Sequence, residues 1–162
     1  VVSLESPGAL AFDALDPATG ALRPRASVAL DPTERTYDWQ LSNDGRVLLL
    51  VRDPWRARPE RLAILSLADG TVQDVAMPPA SECVPHSGSF APNGALVLGC
   101  ESGAAAAWHL ALLDPSSGRT TRLWASEGDG AIYRPLVSPD GTHIVFTLER
   151  FDDDVWLAAL PH

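Results

Sequence analysis

The sequence of 162 residues contains no apolar run near the roughly 18 residues that a membrane-spanning helix needs. We therefore expect no membrane insertion. The first five residues, Val1 to Glu5, include neither an initiator methionine nor the charged and then apolar segments of a signal sequence. We expect the sequence to begin inside a longer protein or after processing.

Basic residues are scarce. Twelve arginine and lysine residues stand against 21 acidic residues, which gives a net charge of −9. This negative net charge argues against nucleic-acid binding, because proteins that bind a phosphate backbone present a basic patch. Cations, peptides, sugars or a basic partner surface stay open, and the same acidity is common in loop-rich all-β proteins.

The motifs of nucleophilic and phosphate chemistry are also missing. There is no G-x-S-x-G, no H-E-x-x-H and no complete phosphate-binding glycine loop, since Gly128-Asp129-Gly130 lacks a third glycine and a following helix. His86-Ser87-Gly88-Ser89 lacks the strand-to-helix elbow that exposes a catalytic serine. We predict a protein that is not an enzyme and that needs no cofactor.

Metal ligands occur without the spacing of a metal site. Cys83 and His86 form one closely spaced pair of candidate ligands, and Cys100 and His109 lie singly further along the chain. Structural zinc sites normally use two closely spaced pairs. The consecutive carboxylates of 152–154 do not fit the alternating spacing of a calcium loop and are typical of a charged hairpin tip. We predict no metal site.

Cys83 and Cys100 flank a predicted hairpin turn, and their state stays open. A regular hairpin centred between Asn93 and Gly94 places Cys100 opposite Ser87, four strand positions or roughly 13 Å from Cys83. A disulfide needs Cα atoms within about 7 Å. The alternatives are a disulfide, for which the chain must bend back near Pro85 and Gly88, and two free thiols.

Three related turns organise the chain. Ser138-Pro139-Asp140-Gly141 combines a proline that presets φ, an aspartate that bonds nearby amides and a glycine that accepts positive φ, and apolar residues flank it. Relatives of this turn end at Gly45 and Gly94, so the turn glycines are 49 and 47 residues apart. A second series, at Gly20, Gly70 and Gly118, is spaced by 50 and 48 residues.

Two hairpin turns within one period of this size predict about four short strands per repeat, which is the pattern of β-propeller blades. We predict an all-β fold of about three blades in a partial or open propeller. The predicted units are a half blade at 1–30, blades at 37–77 and 85–124, and an incomplete blade at 131–162. Because a lone meander cannot bury both faces, the blades are expected to stack.

The two ends of the pattern are incomplete. Residues 1–30 are predicted to form two strands, and 131–162 three, the last near Val155–Leu160. A closed propeller usually needs four to eight blades. We therefore expect a fragment of a larger propeller, or an open arc whose end blades pack against another chain.

The connection at 53–60 is a candidate contact loop, because Trp55, Arg56 and Arg58 combine aromatic and guanidinium groups. A solvated connection whose tryptophan covers the blade edge is the alternative. Trp108 and Trp156 occupy equivalent positions in their repeats, which indicates packing between blades.

The Ser138-Pro139-Asp140-Gly141 turn, followed by an apolar strand and then Asp154-Val155-Trp156-Leu157, resembles the TolB-like propeller repeat. The beginning, from Gly8 to Asp13, is similar to the C-terminal propellers of bacterial sensor proteins. The resemblance implies a non-catalytic, extracytoplasmic (periplasmic) propeller segment that binds a protein partner or a small ligand as part of a larger bacterial protein.

Two alternatives follow from the same pattern. Similar blades form the gating propeller of prolyl oligopeptidase-like serine peptidases, whose hydrolase domain would lie elsewhere. The second alternative is a structural arc that closes a ring by homodimerisation.

Overall fold

The computed structural model describes residues 2–6, 8–30, 35–52, 61–102, 107–126 and 130–150, with side chains for 8–30, 38–50 and the three later ranges. These residues form strands, turns and short connections, and none of the described segments is an apolar helix of membrane-spanning length. The strands are β1 (Val2–Ser6), β2 (Ala9–Leu15), β3 (Leu22–Ala29), β4 (Arg35–Leu41), β5 (Arg46–Arg52), β6 (Arg61–Ser66), β7 (Val72–Val75), β8 (Val84–Phe90), β9 (Leu96–Ser102), β10 (Ala107–Leu113), β11 (Thr120–Ala125), β12 (Ala131–Val137) and β13 (Ile144–Glu149).

The strands form four antiparallel sheets in which chain neighbours pair in order. The first sheet contains β1 to β3, the second β4 to β7, the third β8 to β11 and the fourth β12 and β13. The second and third sheets are four-stranded blades at the predicted places. The all-β, partial-propeller prediction is confirmed.

The first sheet differs from the predicted half blade by one strand. β1 pairs with β2 from Val2 opposite Asp13 to Ser6 opposite Ala9, so residues 1–30 supply three strands and not two. The segment was missed because it follows no turn of either glycine series. The strand predicted near Val155–Leu160 lies outside the described residues.

Each predicted hairpin turn closes around its glycine. Gly45, Gly94 and Gly141 adopt φ of 81°, 85° and 72°, the left-handed region in which a side chain is strained. In the last of these turns the Gly141 amide donates to the Ser138 carbonyl at 2.8 Å. The Asp140 carboxylate accepts from the Thr142 amide and the Ser138 hydroxyl.

These hydrogen bonds predict acid sensitivity. The Ser138 hydroxyl and the Thr142 amide lower the pKa of Asp140 from its ordinary 3.8 to about 2. A carboxylate with a lowered folded-state pKa stabilises the fold above its ordinary pKa, and the stabilisation is lost as pH falls toward the folded-state value. We expect the urea midpoint to fall between about pH 5 and pH 2.

Ser138→Ala removes the largest of these interactions and tests the assignment. The variant should show a higher Asp140 pKa by carboxyl NMR titration, and less loss of stability on acidification. Ser81→Ala, at an exposed residue outside the strands, is the control. An unchanged Asp140 titration in Ser138→Ala would contradict the expectation.

The middle sheets bury both faces because alternate side chains of a strand point to opposite sides. In β5, Val47 and Leu49 pack toward the first sheet, whereas Leu48 and Leu50 pack toward the third. Three apolar clusters result. The first-to-second cluster contains Leu10, Phe12, Val28, Leu30, Val47, Leu49, Ala63 and Leu65. The second-to-third cluster contains Leu48, Leu50, Leu62, Ile64, Val75, Cys83, Leu96, Leu98, Cys100, Ala111 and Leu113.

The third cluster joins the third and fourth sheets. Val97, Leu110 and Ile132 are buried there, with Phe146 and Leu148 packed against them. The sheets approach so closely that a Cβ added to Gly99 would lie 2.7 Å from the Ile132 carbonyl oxygen. The result is a stack of four sheets whose contacts run from each sheet to the next.

Cys83 and Cys100 form a disulfide, with Cα atoms 5.0 Å apart. At Cys100 the sequence-based register was wrong by two residues, because Pro85 and not Ser87 lies opposite it. The hairpin pairs Ser87 with Gly99, which accounts for one residue, and the bulge at His86 adds the second. Cys83 precedes β8, and its amide donates to the Pro79 carbonyl at 2.9 Å. That turn bends Cys83 back toward β9, which removes the 13 Å separation expected from a regular hairpin.

Candidate functional site

The first strands of the last three sheets lie side by side. β4, β8 and β12 are edge strands of their own sheets, and β8 contacts both β4 and β12. We call the groove that these strands line the inner-strand groove. It is built from equivalent segments of the repeat.

All three inner strands carry a β-bulge at nearly the same place. In β4 the extra residue is Tyr37, and in β8 it is His86, 49 residues later. In β12 the register shifts between Tyr133 and Leu136. Because a bulge redirects side chains and is common beside functional sites, three aligned bulges mark this level of the groove as a candidate site.

The bulges surround a cavity of about 530 Å³, which we call the bulge crevice. This volume lies within the usual range for small-ligand sites. Its lining residues come from all three inner strands and from β13: Asp38, His86, Ser87, Tyr133, Arg134, Thr147, Leu148 and Glu149.

Two rings that line the bulge crevice, those of His86 and Tyr133, pack on either side of the Trp108 ring. The His86 and Trp108 ring centroids are 4.6 Å apart, and those of Trp108 and Tyr133 are 5.3 Å apart. His86 Nε2 lies 3.1 Å from Glu101 Oε2, which fixes the imidazole. The rings therefore present a fixed aromatic surface, and Trp108 takes part in packing between blades, as predicted.

Arg134 is held in an unusual backbone conformation. Its φ is 51°, in the left-handed region, and its amide donates to the buried Ser87 hydroxyl oxygen at 2.9 Å. Left-handed backbone at a residue other than glycine costs about 1–3 kcal/mol and concentrates at functional sites. The bond to Ser87 ties the bulge of β12 to that of β8.

Burial perturbs three titratable groups of the bulge crevice. It raises the pKa of Asp38, although the Trp39 amide and Arg134 oppose the shift. Burial lowers the pKa of His86 against the effect of Glu101. For Tyr133, burial and then the Glu149 and Glu101 carboxylates raise the pKa.

The charge of the bulge crevice is therefore acidic. Asp38, Glu149 and the adjoining Glu101 bring three carboxylates, and among the described residues of the lining Arg134 is the one arginine. Carboxylates next to aromatic faces are suited to an ammonium or guanidinium group, through charge-assisted hydrogen bonds and cation–π contact.

A second cavity, of about 410 Å³, lies at the hairpin-turn end of the groove. Gln40, Ser89 and Leu136, at equivalent positions of the three inner strands, contribute to its lining. The Ser89 hydroxyl is buried and has no hydrogen-bond partner within the described residues. This turn-end cavity is more neutral than the bulge crevice.

Three metal-type side chains also converge. Candidate ligand atoms of Cys83, Cys100 and His109 lie within 4.8 Å of one another, and all three residues are buried. The two sulfurs are bonded to each other, and a disulfide does not provide the thiolates that zinc binds. Burial and Arg122 lower the pKa of His109, which packs beside the bridge as a core histidine.

The candidate contact residues predicted from the sequence are not the residues that line the two cavities. Trp55, Arg56 and Arg58 lie outside the described residues, as does Trp156. Sequence reasoning missed Asp38, Tyr133 and Arg134. Tyr37 and His86 share the 49-residue spacing of Gly45 and Gly94, and extending the repeat alignment into the inner strands could have found the site.

The fold and groove define an all-β protein of partial-propeller type. No family model and no curated protein matches the sequence. A crystal structure of a protein from Lactobacillus plantarum, solved as a structural genomics target, is similar at a TM-score of 0.50 and 16% identity. The similarity covers 88% of this chain and 45% of that chain, so this chain spans less than half of its length. At this identity the comparison shows the fold alone.

Proposed function

We propose that this chain is a non-catalytic binding domain whose bulge crevice receives a cationic group of a protein partner. The observation that carries the proposal is the convergence of three repeat-equivalent bulges on one acidic, ring-lined cavity. The side chains at equivalent positions of the three inner strands, Asp38, Ser87 and Arg134, differ in charge and size and give the crevice an asymmetric surface.

A lysine or arginine side chain fits the chemistry of this crevice. The ammonium or guanidinium group would lie between the Asp38 and Glu149 carboxylates, and the aliphatic stem would lie along Tyr133 and Leu148. Because Asp38 is half-buried, it loses solvation in the unbound state, and a bound cation restores favourable interactions.

We further propose that the domain belongs to a larger bacterial protein of the TolB-like type and acts outside the cytoplasm as its sensor or interaction part. The Ser138-Pro139-Asp140-Gly141 turn, its two relatives that end at Gly45 and Gly94, and the blade organisation support the family proposal. The Cys83–Cys100 disulfide supports an oxidising compartment, because such bridges persist mainly in secreted and periplasmic proteins.

Binding of a defined peptide pair tests the proposed function. The probe is a fluorescein-labelled octapeptide of alternating serine and lysine, and the reference is the same peptide with acetylated lysines. Fluorescence anisotropy at physiological ionic strength should show binding of the lysine peptide only. Glu149→Gln should weaken that binding about tenfold, which corresponds to loss of one charge-assisted hydrogen bond.

Glu82→Gln is the matched control, because it removes an equal charge from an exposed residue far from the groove and near Thr120. It should leave the affinity within about twofold, since exposed distant charges are screened by salt. Equal losses in the two variants would indicate general attraction to an acidic protein and would contradict the proposal. Equal binding of the acetylated peptide would do the same.

A further inference from the structure

The outer face of the fourth sheet carries apolar side chains at positions that are buried in the preceding sheets. The closing pairs of the three hairpins are Leu41 with Val47, Phe90 with Leu96, and Val137 with Ile144. The next residues, Leu48, Val97 and Val145, are therefore equivalent. Their exposed fractions can therefore be compared directly.

Leu48 and Val97 are 0% and 1% exposed because the following sheet covers them, whereas Val145 is 69% exposed. Its cross-strand partner Leu136 is 48% exposed. A directly opposed Leu–Val pair on a sheet face normally packs against a second layer. Within the described residues, no cluster covers this pair.

The first sheet has an open face at the other end of the stack. Leu10, Phe12 and Val28 point to the second sheet, so the intervening residues point away from it. On that outward face Leu15 and Leu22 form a cross-strand pair, each 46% exposed. Further along this face, Asp13 lies opposite Pro24, and beyond them are rows of small residues: Ala11 with Ser27, and Ala9 with Ala29.

We propose that these two faces are complementary halves of an interface between copies of this chain, with the fourth sheet of one copy packed on the first sheet of the other. The arrangement continues the contact that already joins each sheet to the next. The protruding Leu136 and Val145 side chains of one copy would pack on the rows of small residues in the first sheet of the other copy.

Two copies arranged in this way form two identical interfaces related by a two-fold axis. A head-to-tail contact builds a ring when the rotation closes, and eight sheets lie within the usual size of propellers.

Solution mass over a range of concentrations is the first measurement. Light scattering and sedimentation equilibrium should give a species of twice 17.3 kDa that dissociates on dilution. Val145→Asp should shift the midpoint of association by at least tenfold. Val72→Asp, the same substitution at an exposed valine of β7, should leave it unchanged.

A mixing experiment distinguishes this interface from a symmetric one. Leu22→Asp blocks the first sheet, and Val145→Asp blocks the fourth, so each variant alone should be monomeric. Mixed, they retain one intact contact, and heterodimers should form. Circular dichroism checks that both variants fold.

A monomer at all concentrations, an unweakened Val145→Asp dimer or a failure of the mixed variants to associate would each overturn the proposal. An unlimited ladder of oligomers would overturn ring closure. Val145 and Leu22 do not line the bulge crevice. The monomeric Val145→Asp variant should therefore still bind the lysine peptide, so failure of the interface and failure of the crevice are measured separately.

Discussion

Replacing Phe12 by alanine should lower the free energy of unfolding by about 3–5 kcal/mol, the range for deletion of a buried aromatic ring. Phe12 is completely buried between the first and second sheets, and its ring meets the Trp39 ring edge-on with centroids 5.4 Å apart. The substitution removes both the buried area and this ring pair, and the rigid sheets cannot collapse into the cavity. Urea denaturation followed by circular dichroism measures the loss.

Two comparisons make the Phe12 result specific. Phe12→Leu retains most of the buried volume and should cost roughly half as much or less. Leu123→Ala, at an exposed position of β11, should change stability by no more than about 0.5 kcal/mol. A Phe12→Ala loss as small as that of Leu123→Ala would contradict the packing of the first sheet on the second.

Reduction of the Cys83–Cys100 disulfide should lower stability by about 3 kcal/mol, the chain-entropy value for a loop of this size. The bridge closes a loop with a sequence separation of 17 residues. Before reduction, a thiol assay on the unfolded chain should detect no free thiol, and after reduction it should detect two. Urea curves with and without a phosphine reductant measure the difference.

A Cys83→Ala, Cys100→Ala double variant provides the control for reduction. Its stability should be the same with and without reductant, and close to that of the reduced protein apart from a cavity contribution. Two free thiols in the protein before reduction would contradict the disulfide. An unchanged urea curve after complete reduction would contradict its stabilising role.

The sequence was most informative where local chemistry repeats. Gly45, Gly94 and Gly141 predicted their hairpins because positive φ and an adjacent turn residue are local requirements. The continuous apolar run of β5, from Val47 to Leu50, is typical of a strand that is buried on both faces. These signals were sufficient for the two complete blades and for the all-β class.

The sequence was less informative where register departs from a regular hairpin. A shift of one residue along the hairpin and the bulge at His86 together place Cys100 opposite Pro85 and not Ser87, and the turn at Pro79 brings Cys83 into reach. Bulges have no strong composition signal. They depend on how the inner strands pack, and so both the disulfide geometry and the bulge crevice appear only in three dimensions.

β1 illustrates a further limit. Val2–Ser6 is short and has no turn glycine of the repeat beside it, so its pairing with β2 depends on an available sheet edge. Likewise, Asp38 and Arg134 are distant in sequence, and their joint electrostatic effect follows from the side-by-side placement of β4 and β12 around β8.

The division between strand pairing inside sheets and side-chain packing between them has a mechanical consequence. Every strand ladder of the described residues belongs to one sheet, and apolar clusters join one sheet to the next. Tension applied to the chain ends would separate neighbouring sheets by shearing these apolar layers and would unzip each meander on its own. The end-to-end length of the chain would increase in steps, one for each sheet that unfolds. The step for the third sheet would be shorter, because the disulfide keeps the segment between Cys83 and Cys100 from extending.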